Sequence, residues 1–154
     1  MGHIAAKLEE LGIHIPEVAK PVASYVPAQT TGNLLYTAGQ LPFVDGALVA
    51  TGKVGAEVSA QEATELARVC VLNGLAAAQS VLGSLDRITQ VVKVNGYVAS
   101  ASDFIGQPTV LNGASELLGQ IFGDKGIHAR AAVGVAVLPL DAPVEVELIL
   151  EFSS

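Results

Sequence analysis

Near the C-terminal end, three side chains could carry polar chemistry. Arg130 opens the run HARAAVGVAVLP, Glu145 lies in VEVELILEF, and Asn112 sits in VLNGASELL. A guanidinium presents parallel N–H donors that match a planar carboxylate in two hydrogen bonds. The small neighbours Ala131, Ala132 and Gly134 leave room for a ligand beside that fork. Arg130 is therefore either the anion hook of a binding site or a surface arginine that ends a strand. Glu145 either orients or deprotonates a water, or joins Glu147 and Glu151 on a solvated sheet face. Tyr25, in PVASYVPA, offers a ring with a hydroxyl, either to cover a pocket or to pack an arm on the sheet. Cys70 falls on an apolar stripe, where a thiol packs as a small hydrophobe. His3, His14 and His128 lack metal-ligand spacing, and His128 stands two positions before Arg130.

Elements must exist to hold these groups. Ile4, Leu8 and Leu11 recur at helical spacing and stop at Gly12, which predicts a short helix over 3–11. HIPEVAKPVASYVP reads as an extended, proline-punctuated arm. LLYTAGQLPF reads as a strand, and Asp45-Gly46 in FVDGALV signals a hairpin. Ser59 and Glu62 form a capping box before an apolar repeat running from Ala63 to Leu82, with Gly83 as its stop. In QVVKVNGYV, Val92, Val94 and Gly96 alternate with Lys93, Asn95 and Tyr97, a strand pattern. A second long helix is expected over 107–122, with Pro108 in its first turn. RAAVGVAVL and VEVELILEF complete the set. The implied order is β-β-α-β-α-β-β, an α+β sheet with two helices packed on one face.

Bulk properties narrow the function classes. The chain has 154 residues, with 51% hydrophobic and 15% charged, and one domain spanning 1–154 is expected. That apolar surplus points to subunits that bury surface against each other. No uninterrupted apolar run is long enough for a membrane helix. A lone cysteine excludes an internal disulfide and fits a cytoplasmic protein. The net charge of −7, with eight scattered Lys and Arg, argues against nucleic acid as a partner. P-loop, G-x-G-x-x-G, G-x-S-x-G and C-x-x-C motifs are all missing, so no motif-borne cofactor is expected.

Taken together, TGNLLYTAGQLP, VVKVNGYVASASDF, VLNGASELL, HARAAVGVAVLP and VEVELILEF resemble the RidA/YjgF family, also called L-PSP or reactive-intermediate deaminases. The segments run in the family's order across about residues 21–152, after an N-terminal extension of about twenty residues. The resemblance implies a chorismate-mutase-like fold and a homotrimer with clefts between adjacent subunits. It also implies hydrolysis of 2-imino acids to 2-oxo acids and ammonia, without metal or cofactor. Position by position, it implies Arg130 as the carboxylate-binding arginine and Glu145 as the water-positioning glutamate. Asn112, Tyr25, Gly39 of the TAGQ loop and the backbone N–H of Ala132 are implied substrate contacts.

Two positions depart from the family pattern. Ala38 stands where a serine is usual, and Ala132 where a cysteine is usual. These departures open a second reading, a module that binds small carboxylates without turning them over. The family's occasional ribonuclease label is a third, against which the net charge stands.

Overall fold

The structure, a computed structural model, describes residues 2–18 and 23–154. In chain order it contains α1 (His3–Leu11), β1 (Ala28–Thr31), β2 (Leu34–Thr37), β3 (Phe43–Val44), β4 (Ala47–Leu48), α2 (Ala60–Leu82), β5 (Ile88–Ala99), α3 (Gln107–Phe122), β6 (Ala129–Val135) and β7 (Val144–Phe152). Five strands form one mixed sheet in the order β1-β2-β7-β5-β6. Only β6 runs parallel to its neighbour, and α3 supplies the crossover that a parallel pair requires.

Local signals explain most of the elements. Gly12 takes the left-handed conformation that ends α1. At the head of α2, Ser59 Oγ accepts from the Glu62 N–H at 3.1 Å, and Glu62 Oε1 accepts from the Ser59 N–H at 3.4 Å. Asp45 and Gly46 both have positive φ and turn β3 into β4. The expected arm over 14–27 forms neither helix nor strand at 14–18 and 23–27; residues 19–22 lie outside the described residues.

One face of the sheet carries the main core. Leu66, Cys70, Val71 and Leu75 of α2, with Leu111, Leu117 and Leu118 of α3, pack on Val94, Val98, Val146 and Leu148. Helix α1 adds Ile4 and Leu8 to this core, and the Ile4 N–H donates to Asp86 Oδ1 at 2.6 Å. Among the described residues the opposite face is covered at one end, where Leu41, Ala99, Leu138 and Ala142 form a small second cluster with Tyr97 and Val135 packed against it.

Three expectations about strands need correction. The strand expected over LLYTAGQLPF ends at Thr37 and resumes pairing only at Gln40. Tyr36 pairs with Ile149 and Gln40 with Val146, so four steps on this strand oppose three on β7, a bulge. Thr37 Oγ1 compensates by accepting the Leu148 N–H at 3.0 Å. In β5 a second irregularity between Val91 and Lys93 gives the core position to Val91 and leaves Val92 exposed. Strand β1 was not among the expected elements; it pairs with β2 across a turn at Gly32 and Asn33.

Gly113 sets the distance between the two long helices. A methyl group at that position would lie 2.2 Å from the Thr64 carbonyl oxygen on α2. Gly113→Ala should lower stability by about 1–3 kcal/mol through overpacking, read as a reduced denaturant midpoint at unchanged slope. Helix α3 carries the polar side chains described next, so this close approach also positions them.

Candidate active site

Arg130 occupies the edge strand β6, opposite Val94 of β5. Directly paired residues share a face, and Val94 is buried in the helix-covered core, so Arg130 and Ala132 point toward α3. There the guanidinium meets a row of neutral acceptors. Nη1 donates to Asn112 Oδ1 at 2.9 Å and to Ser115 Oγ at 3.1 Å, and Nη2 donates to the Pro108 carbonyl at 3.3 Å. Among the described residues, no carboxylate lies within ion-pair distance of Arg130. The arginine is half-buried, and it borders an open depression of about 410 Å³ shared with Asn112, Ser115, Ile127 and His128.

His128 is tied into the same cluster. Its Nε2 lies 2.9 Å from Ser115 Oγ and its Nδ1 lies 2.5 Å from the Gly126 carbonyl oxygen. Ser115 was not singled out from the sequence. The available signal was spacing, because Ser115 is three residues beyond Asn112 and shares its helix face.

Glu145 is elsewhere. It pairs with Tyr97 across β5, on the face opposite the helices. That face and the intervening strand β5 separate it from Arg130 within one chain. Burial, reinforced by the charge of Glu147 two residues on, raises the Glu145 carboxyl above the ordinary carboxylate range. Glu147 is occupied: Tyr97 donates its hydroxyl to Glu147 Oε1 at 2.8 Å and Asn95 Nδ2 donates to it at 3.1 Å. That hydrogen bond is the main reason the Tyr97 phenol is pushed up to about 12.

Gly39 supports the glutamate. A methyl group on Gly39 would sit 2.6 Å from Glu145 Oε1, so the absence of a side chain is what admits the carboxylate there. Gly39→Ala should displace Glu145 with little loss of fold, because this glycine does not adopt a positive φ. The expected result is a melting temperature close to that of wild type.

Tyr25 lies on the bend before β1, at the far edge of the sheet from β6, and is 47% exposed. The Pro27 carbonyl accepts the Ala38 N–H at 2.8 Å, which brings this arm beside the loop that carries Gly39. The six expected site residues thus fall into two groups. Arg130, Asn112 and Ala132 sit on the helix side at one edge; Glu145 and Gly39 sit on the other face, with Tyr25 near their loop.

Cys70 lies in the core, its Sγ 3.8 Å from the Val144 carbonyl oxygen. Burial, with the Glu145 charge second, raises its pKa well above the usual thiol range. The thiol is a packing group, as its place on the apolar stripe suggested. Among the described residues, no cluster of three His, Cys, Asp or Glu could hold a metal ion, and no helix is long and apolar enough to cross a membrane.

Known proteins share this architecture. Residues 5–152 match the family described as "YjgF/chorismate_mutase-like, putative endoribonuclease". Protein TCP17 of Trypanosoma cruzi is 43% identical across 99% of this chain and 96% of that protein. The 2-iminobutanoate/2-iminopropanoate deaminase of Dermatophagoides farinae is 30% identical across 90% of this chain and 93% of that protein. A crystal structure from Shewanella oneidensis superposes with a TM-score of 0.93 at 34% identity, covering 97% of this chain and 99% of the other. The match runs from α1 to the end of β7, through every element that carries the two residue groups, and the chain belongs to the YjgF (RidA) family.

Proposed function

We propose that this protein hydrolyses 2-imino acids, and their enamine tautomers, to 2-oxo acids and ammonia in clefts between the subunits of a homotrimer. The observation that carries the reading is the split site. A guanidinium with no carboxylate partner among the described residues stands at one edge of the sheet, and a carboxyl of raised pKa stands on the opposite face. A cleft lined by Arg130 of one subunit and Glu145 of another would unite them. The uncovered part of the Glu145 face also carries Tyr36 and Val133, 42% and 47% exposed, which suits it to packing against another chain. The 2-iminobutanoate/2-iminopropanoate deaminase relative supports the choice of chemistry.

The reaction asks little of the protein. Arg130 holds the planar carboxylate, which fixes the plane of the adjacent iminium carbon. Glu145, once ionised, accepts a proton as water adds to that carbon. The tetrahedral adduct then collapses to the oxo acid, and the amine leaves as ammonia after taking up a proton. No covalent intermediate with the protein and no redox step is needed.

Ala38 and Ala132 favour a second reading, carboxylate binding without turnover, because each removes a polar side chain from the neighbourhood of the site. The two separate cleanly in one assay. An amino acid oxidase generates 2-iminopropanoate, and its decay is followed with and without micromolar protein. Acceleration above the buffer rate is expected; decay at the buffer rate, with pyruvate still binding, would assign the protein to the binding class. Endoribonuclease activity fits poorly with a net charge of −7, since a polyanion needs a basic surface to displace its counterions.

A further inference from the structure

We propose that Ser115 and His128 are positioning residues for Arg130, holding its guanidinium through a neutral hydroxyl so that its charge stays available to an anionic ligand. The inference rests on the reading of Arg130 as the carboxylate-binding residue. Proton positions follow from which groups can donate. His128 Nδ1 faces the Gly126 carbonyl at 2.5 Å, and a carbonyl only accepts, so Nδ1 carries the proton. In the neutral ring Nε2 is then an acceptor, and the Ser115 hydroxyl 2.9 Å away donates to it. The lone pairs of Ser115 Oγ are thereby turned to Arg130 Nη1, which can only donate.

Each link has a physical consequence. Without His128, the Ser115 hydroxyl is free to rotate and to donate to a carbonyl of the preceding helical turn. One support of the guanidinium then comes and goes. A carboxylate at position 115 would grip the arginine more firmly but would cancel the charge that attracts substrate. An aliphatic residue there would leave Nη1 without that partner. Asn112 and the Pro108 carbonyl complete the support, so three neutral oxygens hold a full positive charge at the border of an open depression.

Calorimetric titration of the full-length protein with pyruvate tests the proposal. Ser115→Ala and His128→Leu are each expected to weaken pyruvate binding about tenfold, the size of a lost hydrogen bond to a charged group. Ser115→Thr keeps the hydroxyl and His128→Gln keeps an acceptor, so both should bind close to wild type. The double variant Ser115→Ala/His128→Leu should be no weaker than either single, because both break one chain of bonds. Ser115→Val, which matches threonine in shape but lacks the hydroxyl, stands in if Ser115→Ala does not fold. His128→Phe does the same for His128→Leu. Wild-type affinity in the apolar variants, additive losses in the double, or failure of the conservative pair to rescue overturns the positioning role. If Arg130→Ala still abolishes binding in that case, the carboxylate reading of Arg130 survives. If wild-type protein binds no 2-oxo acid, or Arg130→Ala binds as well as wild type, both the carboxylate reading and the positioning role fall.

Discussion

Arg130→Ala should weaken the binding of pyruvate or 2-oxobutanoate by about a hundredfold, close to 3 kcal/mol, and kcat/KM for the imino acids by at least as much. The magnitude follows from what the side chain lacks. Among the described residues it has no carboxylate partner, so a substrate carboxylate does not have to displace an internal ion pair. Its three internal acceptors are neutral and leave the net charge intact. Arg130→Lys should recover only a small part of the loss, because an ammonium cannot offer two parallel donors to one carboxylate. Fold stability should barely change, since the arginine is half-buried at a sheet edge and paired with no charge. Equal affinity in wild type and Arg130→Ala would remove the basis of the proposed chemistry.

Glu145→Gln should leave pyruvate binding nearly unchanged and lower kcat by about 10²- to 10⁴-fold, the range ascribed to a general base. Its pH dependence has a defined sign in both rate and stability. Burial and Glu147 raise the Glu145 carboxyl, so the folded protein holds that proton more tightly than the unfolded chain does. The resulting stabilisation is complete below the unfolded pKa and is lost as pH rises through the folded one. Above that window the ionised carboxylate costs stability, and glutamine, which carries no charge, does not. Glu145→Gln should therefore melt at a higher temperature than wild type at neutral pH, with the difference shrinking toward acid pH. Wild-type turnover should fall as pH drops through the same raised pKa, because only the ionised form accepts a proton. Melting curves at several pH values test the environment of Glu145 even if the imine assay fails.

Much of this was readable along the chain because it depends on residues close in sequence. The capping box at Ser59 and Glu62, the stop at Gly83, the Asp45-Gly46 hairpin and α3 over Gln107–Phe122 are all set by short-range rules of capping, turn conformation and helical period. The alternation in VEVELILEF placed Val144, Val146, Leu148 and Leu150 in the core and Glu145 on the other face, and that pattern holds. The bulges were hidden. A strand's own period cannot report one residue too many relative to a partner more than a hundred positions away, as at Thr37–Gln40 against β7.

Which face Arg130 takes was decided by tertiary structure. By hydrophobicity alone, Val133 and Val135 of β6 belong in the core and Arg130 belongs outside, beside Glu145. The register with β5 does the opposite: Arg130 and Ala132 face the helices, while Val133 is exposed and Val135 joins the second cluster. Space is the reason. Helix α3 lies so close to the sheet at Gly96, the partner of Ala132, that a methyl group on that glycine would sit 2.2 Å from Leu111, so only small side chains fit at that level. Arg130 escapes that constraint at the edge, where it reaches across to the polar side of α3. The sequence by itself determined the helices, most of the strands and the presence of an arginine, an asparagine and a glutamate. Packing density and strand register alone determined that the arginine and the glutamate lie on opposite faces of one sheet, and hence that a single chain cannot bring them together.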